Sequence, residues 1–351
     1  MSGGVDSSVV AALLHEQGHE VIGVHMKLHD AAPSAVDSSK RCCGYDDALD
    51  ARKVADHLGI PFYVMNLREA FQKAVMDDLA NAYVNGQTPN PCVQCNGVLK
   101  FKVLLSRAMA LGADRLATGH YAQIRDGVLH TAADSSKDQT YFLYPVTREA
   151  LSRTLFPLGG MTKPEVRAEA ERLGLITAAK PESQEICFIP DDDHTRFVRE
   201  AHPELDASGE IVDESGQVLG RHDGYYRYTI GQRRGLQVAL GKPAYVLKIE
   251  PETRRVVVGF EDRIFHSGLV ADRCNWYARP EVSKVVHARI RHRGGLIPCQ
   301  VGEGDVPTVH FLESARAVTP GQSVVFYDGE QVLGGGTILK ALDVPTLAAV
   351  S

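Results

Sequence analysis

Two kinds of residue in this chain have types and spacings suited to chemistry. The first is the run Ser2-Gly3-Gly4-Val5-Asp6-Ser7-Ser8. Paired glycines let a backbone approach an anion closely, serine hydroxyls donate hydrogen bonds, and the exposed amides of a helix starting there favour phosphate. The Gly-Lys-Ser/Thr ending of a Walker loop is missing. A plain capped helix start also uses Ser and Asp, but capping alone does not ask for a doubled glycine. The second kind is cysteine. Thr88-Pro89-Asn90-Pro91-Cys92-Val93-Gln94-Cys95-Asn96 stands before a helical stretch. A Cys-x-x-Cys pair lowers one thiol's pKa, and a following helix N-terminus lowers it further. The bland alternatives are half a zinc site or buried structural cysteines. A four-cysteine zinc site needs a second Cys-x-x-Cys, which the chain lacks. Farther on, Pro181-Glu182-Ser183-Gln184-Glu185-Ile186-Cys187-Phe188-Ile189 sets Cys187 among apolar neighbours, on its own the surroundings of a core thiol.

The elements that must position these residues follow from periodicity. Val9, Val10, Leu13 and Leu14 recur at helical spacing up to Gly18, and Val21 to Val24 reads as a buried strand. Asp46 to Leu58 reads as a helix, Pro61 to Met65 as a strand, and Leu67 to Val84 and Gly97 to Leu111 as two further helices. Arg115 to Thr118 reads as a strand running into Gly119-His120. This alternation predicts an α/β doubly wound, largely parallel sheet, whose ligands sit beyond the carboxyl ends of the strands. From about residue 200, turn signals such as Ser208-Gly209 and Asp223-Gly224 punctuate short alternating runs. From about Leu269 the runs are β-branched: Lys284 to Arg291, Thr308 to Leu312, Ser323 to Tyr327 and Gln331 to Leu333. They predict a small β-barrel. The expected domains are 1–195, a small mixed or β central domain at 196–268, and a C-terminal barrel at 269–351.

Bulk properties narrow the class. The chain has 351 residues, 44% hydrophobic and 23% charged, as expected of a multidomain soluble protein. No apolar run approaches the roughly 20 residues that span a membrane, and a polar run follows Met1 where a secretory signal would be apolar. The expected location is the cytoplasm, with no membrane partner. Seven cysteines are too sparse and odd for a disulfide scaffold. A net charge of -6 argues against a broadly basic nucleic-acid surface, so any RNA contact must come from local patches. Arg289, Arg291 and Arg293 alternate, and in a strand they would share one face suited to phosphates or simply to solvent. Tyr225-Tyr226-Arg227-Tyr228 with Arg233-Arg234 forms a second basic and aromatic patch, open to the same two readings. Asp191-Asp192-Asp193 reads as a solvated loop, while Cys42-Cys43 and Cys274 read as structural.

The opening loop resembles the pyrophosphate-binding loop of the ATP pyrophosphatases. Taken together, Ser2 to Ser8, Gly23-Val24-His25-Met26, Thr88 to Asn96, Ala117 to Ala122, Lys137-Asp138-Gln139, Ile186-Cys187-Phe188 and Thr229 to Gly235 resemble the bacterial tRNA-specific 2-thiouridylase family, in that family's order. The resemblance implies a fold like the adenine nucleotide alpha hydrolases. In those proteins a strand precedes the loop, so a first strand is expected to be missing here. It also implies that Ser2, Gly3, Gly4, Val5, Asp6, Ser7, Ser8, Met26 and Gly119 hold ATP with magnesium. By the same carry-over, Cys187 bears a persulfide delivered by a sulfur-relay or cysteine desulfurase protein, and Cys95 frees the sulfur and is left in a Cys95–Cys187 disulfide. Asn90, Pro91 and Cys92 would meet the target base. His120, Lys137, Asp138, Gln139, Arg291, His292 and Gln322 would contact tRNA. The chain is expected to act as a monomer, and no metal ligands are assigned.

Where many relatives carry Asp, this chain has Cys92, which puts an acid/base role there in doubt. Cys92, Cys95 and Cys187 together raise a rival chemistry, an iron–sulfur cluster with one open iron. An amidating or ligating enzyme of the same superfamily, and a nucleotide-binding regulator without turnover, are the other readings. Sulfur incorporation into tRNA separates the first of these, and pyrophosphate release the second.

Overall fold

The computed structural model describes residues 1–29, 45–182, 186–189 and 193–344. Cys42, Cys43, Asp191 and Asp192 lie outside them. The chain divides into two compact units: Met1–Met76, Pro91–Asp193 and Glu330–Val332 form unit 1, and Asp77–Asn90, His194–Gly329 and Leu333–Ser351 form unit 2.

Unit 1 contains two parallel strand pairs. β1 (Gly23–Lys27) lies parallel to β2 (Phe62–Asn66), with Gly23 opposite Phe62 and Lys27 opposite Asn66. β1 starts two residues later than its apolar run, because Gly23 N–H makes the first bond to β2, at Pro61 O, 2.8 Å, while Ile22 is largely exposed. β3 (Leu116–Ala117) is followed by a hairpin of β4 (Gln123–Arg125) and β5 (Val128–His130). β3 then pairs in parallel with β6 (Thr154–Leu155). Among the described residues no ladder joins the two parallel pairs. The hairpin takes its outer partner from far along the chain: His130 faces Gln331, and Arg125 pairs with Glu330 at 2.9 Å.

The helix Val5–Glu16 buries Val5, Val9, Val10, Ala12 and Leu14 among Val54, Leu158, Val166, Ala170 and Leu175, so its N-terminus is fixed by packing along its length. The two long helices expected later in this region are each interrupted. The first runs as Arg68–Phe71, a π-helix Gln72–Met76, and Asp77–Val84. The second starts at Pro91 rather than Gly97, since proline fits the first helical position. It continues through a π-helix, Cys95–Leu104, to Leu105–Ala110.

In unit 2, β7 (Gly209–Val212), β8 (Val218–His222), β9 (Tyr245–Glu250) and β10 (Arg255–Gly259) form a sheet of order β8-β7-β10-β9, in which β7 and β10 are parallel. Tyr225, Tyr226 and Tyr228 are buried beside it. The expected aromatic patch is therefore core packing and offers no rings for stacking on bases. β11 (Phe265–Trp276), β12 (Val286–Arg289), β13 (Ile297–Val301), β14 (Thr308–Arg316), β15 (Ser323–Asp328) and β16 (Gln331–Asp343) close into a six-stranded barrel. Its order is β11-β14-β13-β12-β15-β16, and β16 returns to β11. The inward faces of these strands supply Leu269, Val286, Ala288, Val309, Val324, Phe326 and Ile338.

The arginine alternation does not survive in the structure. β12 ends at Arg289, and Gly294 N–H closes a turn on Arg291 O at 3.0 Å, so the three side chains share no strand face. Arg289 lies over the Tyr327 ring at 5.2 Å, and the exposed Arg291 donates to the Ala317 carbonyl.

Phe326 is fully buried and stacks on Trp276 with ring centres 5.2 Å apart. Phe326→Ala should cost the barrel ~3–5 kcal/mol, read as a lower urea midpoint of the transition followed by Trp276 fluorescence. An unchanged midpoint would show that this ring does not hold the barrel together.

Candidate active site

The opening loop is tied by its own hydroxyls. Ser2 N–H donates to Ser7 Oγ at 3.0 Å, and Ser8 Oγ donates to Gly4 O at 2.9 Å. Gly3 has φ +80°, and a Cβ there would lie 2.2 Å from Asp47 O, so glycine is required twice over. Gly4 caps the helix without a side-chain bond, which leaves first-turn amides to an anion rather than to a cap. The loop after β3 closes on it: a Cβ on Gly119 would stand 2.9 Å from Asp6 Cβ and 3.0 Å from Ser7 N. The two segments expected to hold a nucleotide are thus in contact, while Met26 packs with the cluster around Leu28, Leu67 and Phe71.

A carboxylate in an anion-binding loop repels phosphate unless it is balanced. Asp6 Oδ1 accepts from Lys163 Nζ at 2.7 Å and from the Tyr121 hydroxyl at 2.8 Å. Lys163 also meets Glu182 at 3.0 Å, and its side chain is only 9% exposed. Burial first, then the Asp6 carboxylate, push the Tyr121 hydroxyl well above its usual range, so it stays a donor. The sequence reading missed Lys163 and left Glu182 without a role. The available signal was Thr162-Lys163-Pro164-Glu165. Thr162 N–H donates to Glu165 Oε2 at 2.7 Å in a capping box, which puts a lysine in a first helical turn, where the dipole disfavours it.

The sulfur residues gather in the same unit. Cys92 is exposed in the helical turn that opens at Pro91, and Cys95 begins the π-helix. Asn96 anchors the turn by donating to Phe142 O at 3.1 Å. Cys95 and Cys187, 92 residues apart in sequence, pack against one cluster containing Phe71, Leu99 and Leu104, and neither is in a disulfide. Phe188 pins the second cysteine's turn edge-on to Phe71 with centres 5.3 Å apart. The expectation of a lowered thiol is corrected for Cys95. Burial, offset in part by Lys100 and reinforced by Cys187 and Cys92, pushes it up to about 11. Cys92 and Cys95 lie within the helix rather than ahead of it, so the helix amides reach neither as freely as the pattern suggested. Among the described residues no three His, Cys, Asp or Glu side chains gather closely enough to hold a metal ion.

Several residues expected at RNA are occupied inside the protein. Asp138 is buried, and its two oxygens accept from Ala132 N–H at 2.8 Å and Thr140 Oγ1 at 2.6 Å, so its side chain holds a turn. Gln139 Oε1 accepts from Tyr121 N–H at 2.9 Å, which steadies the residue that binds Asp6. Lys137 pairs with Glu182 at 2.7 Å. His120 is held neutral by burial and then by the Lys100 charge, so it brings no cation to a phosphate. In unit 2, Gln322 Nε2 donates to Thr88 O at 2.8 Å, which fixes the segment leading to Asn90. Pro91 is buried. His292 follows Arg291 in the turn after β12.

A parallel α/β domain whose glycine loop opens a helix at an anion site defines a nucleotide-binding protein of the HUP class. The family model described as tRNA methyl transferase HUP domain matches residues 1–191. A tRNA methyl transferase PRC-barrel domain matches residues 195–260, and an aminomethyltransferase beta-barrel domain matches residues 266–338. The tRNA-specific 2-thiouridylase MnmA of Geotalea uraniireducens is 51% identical, covering 99% of this chain and 95% of that protein. Its counterparts in Geobacter metallireducens and Carboxydothermus hydrogenoformans are 50% and 49% identical, each covering 97% of this chain and 96% and 97% of theirs. The chain belongs to the tRNA-specific 2-thiouridylase family.

The contact between Gly119 and Asp6 leaves no room for a methyl group. Gly119→Ala should displace the first helical turn at a cost of about 1–3 kcal/mol and weaken ATP binding roughly tenfold or more, with circular dichroism unchanged. Full ATP affinity in the variant, by calorimetry, would remove Gly119 from the nucleotide site.

Proposed function

We propose that this chain replaces the C2 oxygen of the wobble uridine in tRNA with sulfur, at the expense of ATP, in the cytoplasm. The observation that carries the reading is the placement of two cysteines outside any disulfide, 92 residues apart, on one cluster of the unit that bears the nucleotide loop. Uridine's carbonyl oxygen is a poor leaving group. In the proposed reaction that oxygen attacks the α-phosphorus of ATP, held with magnesium, and pyrophosphate departs. The terminal sulfur of a persulfide on Cys187 then adds to C2. Attack of the Cys95 thiolate on the Cys187 sulfur breaks the persulfide S–S bond and leaves the terminal sulfur on C2. AMP departs with the former carbonyl oxygen, and 2-thiouridine remains. A Cys95–Cys187 disulfide is left, and an external dithiol reduces it.

The partners this reading requires are a single-stranded anticodon loop, whose base is cheaply unstacked, and a persulfide donor that loads Cys187. Asn90, Pro91 and Cys92 are the proposed contacts of the target base. Cys92 is exposed, and in this reading it lies beside that base without being an essential donor.

Purified protein with ATP, tRNA and a persulfide donor should form 2-thiouridine, detected by nucleoside mass spectrometry. Cys187→Ser and Cys95→Ser should each abolish the product while pyrophosphate release persists, and Cys92→Asp should retain it. Substantial thiolation by Cys187→Ser would remove the persulfide assignment.

Arg291 is the exposed cation proposed to meet the tRNA backbone. Arg291→Ala should weaken tRNA binding and flatten log affinity against log salt by about one unit, as the loss of one phosphate contact does. An unchanged slope would mark Arg291 as a plain solvated side chain.

A further inference from the structure

The mechanism needs a Cys95 thiolate, yet burial pushes this thiol up to about 11. The backbone around it supplies a remedy. In an ordinary α-helix each residue turns about 100°, so residues five apart point roughly 140° away from each other. Between Cys95 and Leu104 the chain instead winds as a π-helix, with Leu105 N–H bonded to Lys100 O, five residues back. That winding brings residues five apart to the same side, and Lys100 is the fifth residue after Cys95. Such π segments are rare and cost regular hydrogen bonding, and they recur where a side chain must be re-aimed for function.

Lys100 is held in place from the other side. Its ammonium donates to His120 Nε2 at 3.4 Å, and His120 Nδ1 meets Thr118 Oγ1 at 2.8 Å. An ammonium has no acceptor, so Nε2 carries the lone pair and Nδ1 the proton. Phe101 and Phe156 flank the ring, with centres 5.8 and 5.9 Å away. The neutral imidazole therefore orients the lysine without cancelling its charge. Among the described residues no carboxylate pairs with Lys100, unlike Lys137, Lys163 and Lys180 of the same unit. The groups facing Cys95 are thus Lys100 on its own helix, Cys92 one turn earlier, and Cys187 from the Ile186–Ile189 turn.

We propose that Lys100, set one π-turn from Cys95 and oriented by His120, is a positioning residue that makes the Cys95 thiolate easier to form for sulfur release. The inference rests on the role given to Cys95 above, and its test is separate from that role. Iodoacetamide alkylation of the full chain between pH 7 and 9.5, resolved residue by residue by mass spectrometry, reads the thiolate fraction at Cys95 directly. Lys100→Met should slow Cys95 alkylation about tenfold at each pH below the midpoint, which corresponds to a rise of one pKa unit. Lys100→Arg should restore the rate to within about threefold, and Cys274 in unit 2 should react unchanged throughout. Lys100→Gln repeats the charge removal in a more soluble form should the methionine variant not fold. An unaltered Cys95 rate in the uncharged variant overturns the proposal. So does an altered salt dependence of tRNA binding with an unaltered Cys95 rate, since that assigns Lys100 to the RNA backbone. Failure of the unsubstituted protein to make 2-thiouridine would count against the proposed function alone, because the alkylation rates need neither tRNA nor ATP.

Discussion

Everything at the nucleotide end depends on balancing one carboxylate. Asp6 stands in the first turn of a helix whose amides are suited to an anion, so its charge would work against the ligand if left alone. Lys163 and the Tyr121 hydroxyl both bind the same oxygen, Oδ1. Lys163 is in turn bound by Glu182, and Glu182 by Lys137. The arrangement is a chain of alternating charges rather than a single pair. It makes sense of side chains that otherwise look oddly placed: Gln139 holds the Tyr121 backbone, and Asp138 holds the turn between them. A buried lysine near the start of a helix is unfavourable by itself, and it becomes favourable only because the carboxylates come to it.

The same economy of position governs the sulfur end. Cys95 and Cys187 come from elements far apart in sequence and meet through shared packing on Phe71, Leu99 and Leu104 rather than through a loop of their own. Close packing fixes their geometry and also strips water from the thiol, which raises the cost of its charged form. The irregular winding after Cys95 is the local answer to that cost.

The family, the parallel α/β unit and the terminal barrel were legible in the sequence because each rests on a periodic or spaced signal. The glycine loop, the Cys-x-x-Cys and the alternating β-branched runs are of that kind. What escaped reading depends on long-range partners. Lys163 looks like an ordinary surface lysine until Asp6, 157 positions earlier, is found against it. Asp138 looks like a polar contact residue until burial shows both its oxygens in use. The arginines at 289, 291 and 293 alternate faithfully, but the strand stops at the first of them. The π-helices carry no sequence signature that separates them from ordinary helix. The Cys-x-x-Cys pattern predicted a lowered thiol because it presumes an open helix terminus, and here the second cysteine is packed inside.

The hairpin of unit 1 has a consequence for how the protein is made. Its outer partner, Glu330 to Val332, is synthesised after nearly the whole of unit 2, and Arg125 waits 205 residues for its carboxylate. A chain emerging from the ribosome can bury the core around Val9, Val54 and Leu158 early, but it leaves the β5 edge open until translation is almost complete. An unpaired edge is a place where strands of other chains can add. β5 is only three residues long, which keeps that interval of vulnerability small. A premature stop upstream of Glu330 would therefore release a product whose hairpin edge never closes.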